Sequence, residues 1–206
     1  MFKKQRVNFS FTVTFLLIII IMGSSCATQK NIPDKPVQAE ITKVQEKIKV
    51  KLRYIPEKQK VLKYGKENNP FVSPVSALRT RLLVFDCVID ISGMPEGKTP
   101  IIILNRIELQ FGRISTNPLN RFHLYNFWEP RLKNQNEYKK WNKNVLRKII
   151  KENVFPNELE IAPGDIKSGL IVFQGRFPNY GDATIYLPIF DKKNQQITRF
   201  IFNFEF

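Results

Sequence analysis

The sequence predicts a mostly β protein, an antiparallel sandwich of about seven to nine strands with one amphipathic α-helix inserted at about 136–152. Three observations predict it. Apolar residues recur at period two in several separate runs, which is the signature of strands with one buried face. Gly, Pro, Asn and Asp punctuate those runs. One segment, free of Gly and Pro, instead places its apolar residues at helical spacing. The chain has 206 residues, 43% of them hydrophobic, with 17 Phe. That suffices for one globular core and excludes intrinsic disorder.

The first 25 residues read as an address. Lys3, Lys4 and Arg6 precede the apolar run FTVTFLLIIIIM over 11–22, which leads into Gly23-Ser24-Ser25-Cys26. A charged start, a short apolar stretch and small residues make a secretory signal. Cys directly after small residues resembles the lipobox of bacterial lipoproteins, with Gly23 departing from the usual aliphatic residue. The resemblance implies that Cys26 is acylated and becomes the first mature residue. Ala27, where some inner-membrane lipoproteins carry Asp, implies the outer membrane. Two other readings stay open. No charge occurs between Val7 and Gln29, so the segment could remain as a spanning helix; Ser25 and Ala27 also suit ordinary cleavage. Residues 26–40 are polar with two Pro and read as a tether, leaving 41–206 for the domain.

Within the domain, Ile48, Val50, Leu52 and Tyr54 alternate with Lys47, Lys49, Lys51 and Arg53, a strand with one cationic face. A helical spacing of Ile41, Val44 and Ile48 leaves room for a short helix before it. Segments 81–92 and 100–111 are apolar enough for central strands. Shorter candidates are 121–128, 158–162, 169–174 and 183–190. The chain ends on Phe200, Phe202, Phe204 and Phe206, alternating and therefore on one face.

Between 136 and 152, Tyr138, Trp141, Val145, Ile149 and Ile150 form one helical stripe, with Lys140, Lys143, Arg147 and Lys151 on the other side. Asn69-Pro70-Phe71, before the first long strand, and Ile161-Ala-Pro-Gly164, five residues ahead of Gly169-Leu-Ile-Val-Phe173, resemble a loose group of exported bacterial lipoproteins. The resemblance implies an immunoglobulin-like sandwich over about 48–206, with the Pro-Gly turn feeding a strand that crosses it. These are turn and core features and imply no activity.

Catalytic and cofactor motifs are weak or absent. Two Cys and one His exclude a disulfide scaffold and a Cys/His zinc site. Gly97-Lys98-Thr99 mimics the end of a phosphate loop, yet Ser92 stands where the motif needs Gly, and strand-like residues follow Pro100. Asp86 and Asp90 share a strand face without companion ligands. His123 lies among aromatics with no serine-nucleophile motif to serve. Cys87, on an apolar strand face, reads as a buried thiol. No enzyme activity, cofactor or metal is expected.

Charge is the feature with functional content. Lys and Arg total 33 against 18 Asp and Glu, and residues 27–66 and 131–151 each carry a net +7. Such patches attract polyanions. The expected protein is a non-enzymatic envelope lipoprotein, a membrane-tethered structural or interaction module whose Lys140, Lys143, Arg147 and Lys151 meet anionic lipid, lipopolysaccharide or an envelope protein. A lipid- or glycan-binding accessory protein is the alternative. Nucleic acid is not expected, because Tyr138 and Trp141 fall on the apolar stripe and are unavailable for base stacking.

Overall fold

A computed structural model describes residues 36–74, 80–95, 97 and 99–206. The signal segment, Cys26 and most of the tether lie outside the described residues. Residues 33–206 form one compact unit.

Ten strands are described, in two antiparallel sheets, with three α-helices. They are β1 (Glu40–Gln45), β2 (Ile48–Tyr54), β3 (Arg81–Asp90), β4 (Ile101–Ile103), β5 (Glu108–Phe111), β6 (Ile114–Thr116), β7 (Glu158–Glu160), β8 (Ile166–Gly175), β9 (Asp182–Phe190) and β10 (Gln196–Glu205). The helices are α1 (Glu57–Tyr64), α2 (Arg121–Asn134) and α3 (Lys143–Asn153).

One sheet runs β1-β2-β3-β8; in the other, β9 lies between β10 and the β4 and β5 segments, whose far sides pair with β7 and β6. With β2, β3 and β8 facing β10, β9, β5 and β6, the order is that of an immunoglobulin-type sandwich. The predicted mostly β, antiparallel sandwich is therefore the observed class, with ten strands described against the seven to nine expected and three α-helices instead of one.

Alternation fills the space between the sheets. Ile48, Val50 and Leu52 from β2, Phe85, Cys87 and Ile89 from β3, and Phe200, Phe202 and Phe204 from β10 all point inward and are buried. On β3 and β8 the opposite face is buried too. Leu82, Val84, Leu170 and Val172 form a second core with Leu124, Trp128, Leu146 and Ile150. The helices thus make a third layer on the outside of one sheet, and a strand covered on both sides reads as a continuous apolar run.

Several elements differ in detail from the sequence expectation. The segment 121–128 is not a strand but the start of α2. Asn120 caps that helix by accepting a bond from His123 N at 2.7 Å. The helix expected over 136–152 is interrupted. A 3-10 turn at Asn136–Tyr138 is followed by Asn142, which caps α3 by accepting from Asn144 N and Val145 N. α1 has no counterpart in the sequence expectation, and 40–45 is strand rather than helix. The β1–β2 turn is Glu46-Lys47, both at positive φ, 49° and 61°. The segment 100–111 breaks at a 3-10 turn, Leu104–Arg106. Between the pairs Ile101↔Phe190 and Glu108↔Tyr186, six residues oppose three of β9. Pro188 is the middle of those three and has no N–H to give a partner strand.

Candidate functional site: a cationic helical layer

α2 and α3 pack side by side on the outer face of β3 and β8. Leu124, Phe127, Trp128 and Leu132 from α2 and Leu146 and Ile150 from α3 are buried beneath them. Trp128 anchors the layer: its indole Nε1 donates to Pro70 O at 2.9 Å, and its ring meets Phe127, Tyr138 and Trp141 at centroid distances of 5.0–5.3 Å. Arg121 Nε donates to Val154 O at 2.7 Å, which pins the start of α2 to the end of α3.

All four cations singled out from the sequence, Lys140, Lys143, Arg147 and Lys151, are solvent-exposed. Lys143, Arg147 and Lys151 recur every four residues and share one row of α3. Lys140 sits apart, in the turn before Asn142. The row borders the buried Leu146–Ile150 stripe instead of lying opposite it, so Arg147 and Lys151 turn toward α2.

There they help line a groove of about 660 Å3 with Arg121, Phe122 and Tyr125, over Ile150. The Arg147 guanidinium stacks on the Tyr125 ring at 4.1 Å, which fixes its plane and leaves its edge free for an oxyanion. Phe122 is 67% exposed. The strand expected over 121–128 does not bring Arg121 and Phe122 to this site. Leu124, Phe127, Trp128 and Leu132 fall at helical spacing, the signal that could have found them.

A second polar cluster lies at the other end of the helical layer. Lys60, fully buried on α1, donates from Nζ to Glu57 Oε1 at 2.8 Å and to Leu82 O at 3.0 Å. Ser73 Oγ donates to the same carboxylate oxygen at 2.5 Å and accepts from Leu82 N at 3.1 Å. Burial holds the Lys60 ammonium below its usual range, opposed by the Glu57 charge. Asn69, also fully buried, donates to Lys60 O and Gly65 O and accepts from Phe71 N. Chemically the cluster is a latch: it ties α1 and the chain around 69–73 to the start of β3. Beside it, a cavity of about 470 Å3 is lined by Val61, Val72, Tyr138 and Trp141, with Glu67 and Glu137 among its polar groups.

The remaining sequence candidates find separate partners. Asp86 pairs with Arg53 at 2.7 Å. Asp90 accepts from Ser92 N and Oγ at 3.0 and 2.6 Å, and those bonds hold its carboxyl below the ordinary range. Gly97 and Thr99 lie in the β3–β4 loop, and strand follows Pro100 where a phosphate loop would open a helix. His123 is exposed on the first turn of α2. The Cys87 thiol is buried between the sheets, and burial pushes its pKa up, with Asp86 adding to the effect. Among the described residues, no group of three or more His, Cys, Asp or Glu is placed to hold a metal ion, and no helix is long and apolar enough to cross a membrane.

No protein-family model matches the chain, and no curated protein sequence matches it. Among solved structures it is similar to one from Bordetella pertussis bearing the name ApaA, at 13% identity and a TM-score of 0.32, covering 84% of this chain and 94% of that one. A likeness at that score carries no argument about function.

Proposed function

We propose that the protein is a non-enzymatic envelope lipoprotein: a β-sandwich held to the membrane by an acylated Cys26 and acting as an interaction module through its basic helical layer. The observation that carries the reading is the exposed row Lys143, Arg147 and Lys151, which α3 presents on the outside of the sandwich. The first described backbone bond of the domain, Val37 N to Glu205 O, comes eleven residues after Cys26. Eleven extended residues reach at most about 40 Å, so the anchor would hold the start of the domain within that distance of the membrane. Outer membrane is the preferred location.

The test is the intact mass and N-terminal peptide of the protein purified from its own membrane fraction. The expected result is a chain beginning at acylated Cys26. An unmodified Cys26 within a retained segment, or a chain starting at Thr28, overturns the lipoprotein reading. Charge reversal of Lys140, Lys143, Arg147 and Lys151 should abolish retention of envelope material on the immobilised protein, and unchanged retention removes the helical layer from the function.

A second reading, an accessory protein that holds a lipid or glycan, draws support from the cavity of about 470 Å3 beside Trp141 and Tyr138. Aromatic rings and carboxylates are the groups that pack and bond a sugar. A co-purifying ligand in native mass spectra, displaced by Trp141→Ala, would favour it.

A further inference from the structure

We infer that the groove between α2 and α3 is a docking face for an anionic bilayer surface, with Phe122 entering the headgroup region while Arg121, Arg147 and Lys151 meet lipid phosphates. The inference deepens the proposed function and rests on its envelope location.

Three features of the groove support this occupant. The first is an apolar probe in an exposed place. Phe122 is 67% exposed on the first turn of α2 and lies among cations rather than against the core. Isolated exposed apolar residues are ordinary on any surface. An exposed aromatic ring surrounded by basic side chains is the pattern of proteins that lie on a membrane interface. The second is pre-organisation. Arg121 is held by its bond to Val154 O and Arg147 by its stack on Tyr125, so two guanidinium groups are already placed before any ligand arrives. Guanidinium matches phosphate in geometry and is lightly hydrated. The third is charge complementarity. Arg121, Arg147 and Lys151 are accompanied in the groove by a single carboxylate, Glu129, which is 3.2 Å from the Lys133 ammonium.

The domain can be tested without the anchor, because residues 33–206 form one compact unit containing both hydrophobic cores. Sedimentation of this domain with vesicles of equal phosphatidylglycerol and phosphatidylcholine, and with phosphatidylcholine alone, reads the affinity. The expected result is partition onto the anionic vesicles only, reversed by salt. Each basic residue near an anionic surface contributes about a 5-fold effect, so Arg147→Gln with Lys151→Gln should weaken partition by about 25-fold. Phe122→Ser, which removes no charge, should weaken it by about 10-fold. Lys49→Gln with Lys193→Gln removes two exposed cations outside the groove and should change it by less than about 3-fold. All these side chains are exposed, and unchanged urea midpoints would confirm that the variants fold.

Failure of the wild-type domain to bind anionic vesicles overturns the inference, as does an equal loss in both cation pairs. If Cys26 proves acylated while the domain ignores anionic vesicles, the docking face falls and the tether stands. If the domain binds through the groove and Cys26 proves unmodified, the lipoprotein reading falls instead.

Discussion

At Gly169 a methyl group would sit 2.6 Å from the Phe155 ring, closer than packed carbon atoms tolerate. Phe155 is itself buried, so the ring has no open space into which to swing. Gly169→Ala should therefore destabilise the domain by about 1–3 kcal/mol, the usual cost of overpacking. A shift in the urea midpoint measures it, and an unchanged midpoint would mean that the ring relocates freely.

Lys60 offers a test with a sign. Its ammonium pKa is lowered in the folded state, so between that value and the unfolded value near 10.5 the unfolded chain binds more protons. Stability from this group therefore rises with pH across that window and is lowest below the folded pKa. Lys60→Met removes the titration but leaves Leu82 O without its bond. The wild type should gain on this variant as pH is raised from 7 toward about 10. Parallel stability curves would show that Lys60 stays fully charged in the fold. Neither residue's role is visible in the sequence. Gly169 reads there as a turn or strand glycine, and Lys60 as one more surface cation in a basic protein, because what defines each is a neighbour distant in the chain.

Among elements, the β1–β2 hairpin closes on two residues, Glu46 and Lys47, that both adopt positive φ. Two-residue turns of this hand match strand twist and favour Asn-Gly; L-residues with bulky side chains pay a steric cost there. Replacing the pair with Asn-Gly should stabilise the domain by about 1 kcal/mol, read as a higher urea midpoint. A lower midpoint would mean that the Glu46 or Lys47 side chain supplies a compensating contact. This turn escaped the sequence reading because nothing in Glu-Lys signals it. α2 escaped for a different reason. Phe122 and Leu124 alternate with Arg121 and His123, and Pro130 argues against a helix. Packing against β3 and β8 decided the matter through Leu124, Phe127, Trp128 and Leu132, a case of tertiary context overriding a local pattern.

On the scale of the whole domain, two cores share one sheet. Among the described residues, the core between the sheets holds 27 buried hydrophobic residues and the core under the helices 14. The helical layer is thus held by fewer buried apolar residues, and its amides should open at lower free energy than those of β3 and β9. Native-state hydrogen exchange checks this, and equal protection in α3 and β3 would show one cooperative unit. Such a layer can yield locally at a surface while the sandwich stays intact, a property compatible with docking through the α2–α3 groove.

Local pattern alone implies a β-sandwich, marks the buried faces of strands such as Ile48–Tyr54 and Gln196–Glu205, and places the positive charge. Alternation of side chains is a local property of the strand, and the Phe200–Phe206 row announces its buried face without reference to any partner. Only the tertiary structure decided that a helical layer covers β3 and β8, that 121–134 is helix, and that Arg121 and Phe122 join Arg147 and Lys151 in one groove. The two pairs are more than twenty positions apart in the chain, and they meet because β3 and β8 each present a second apolar face that must be buried. Period-two reading marks one buried face of a strand; what covers the other depends on elements far away in sequence.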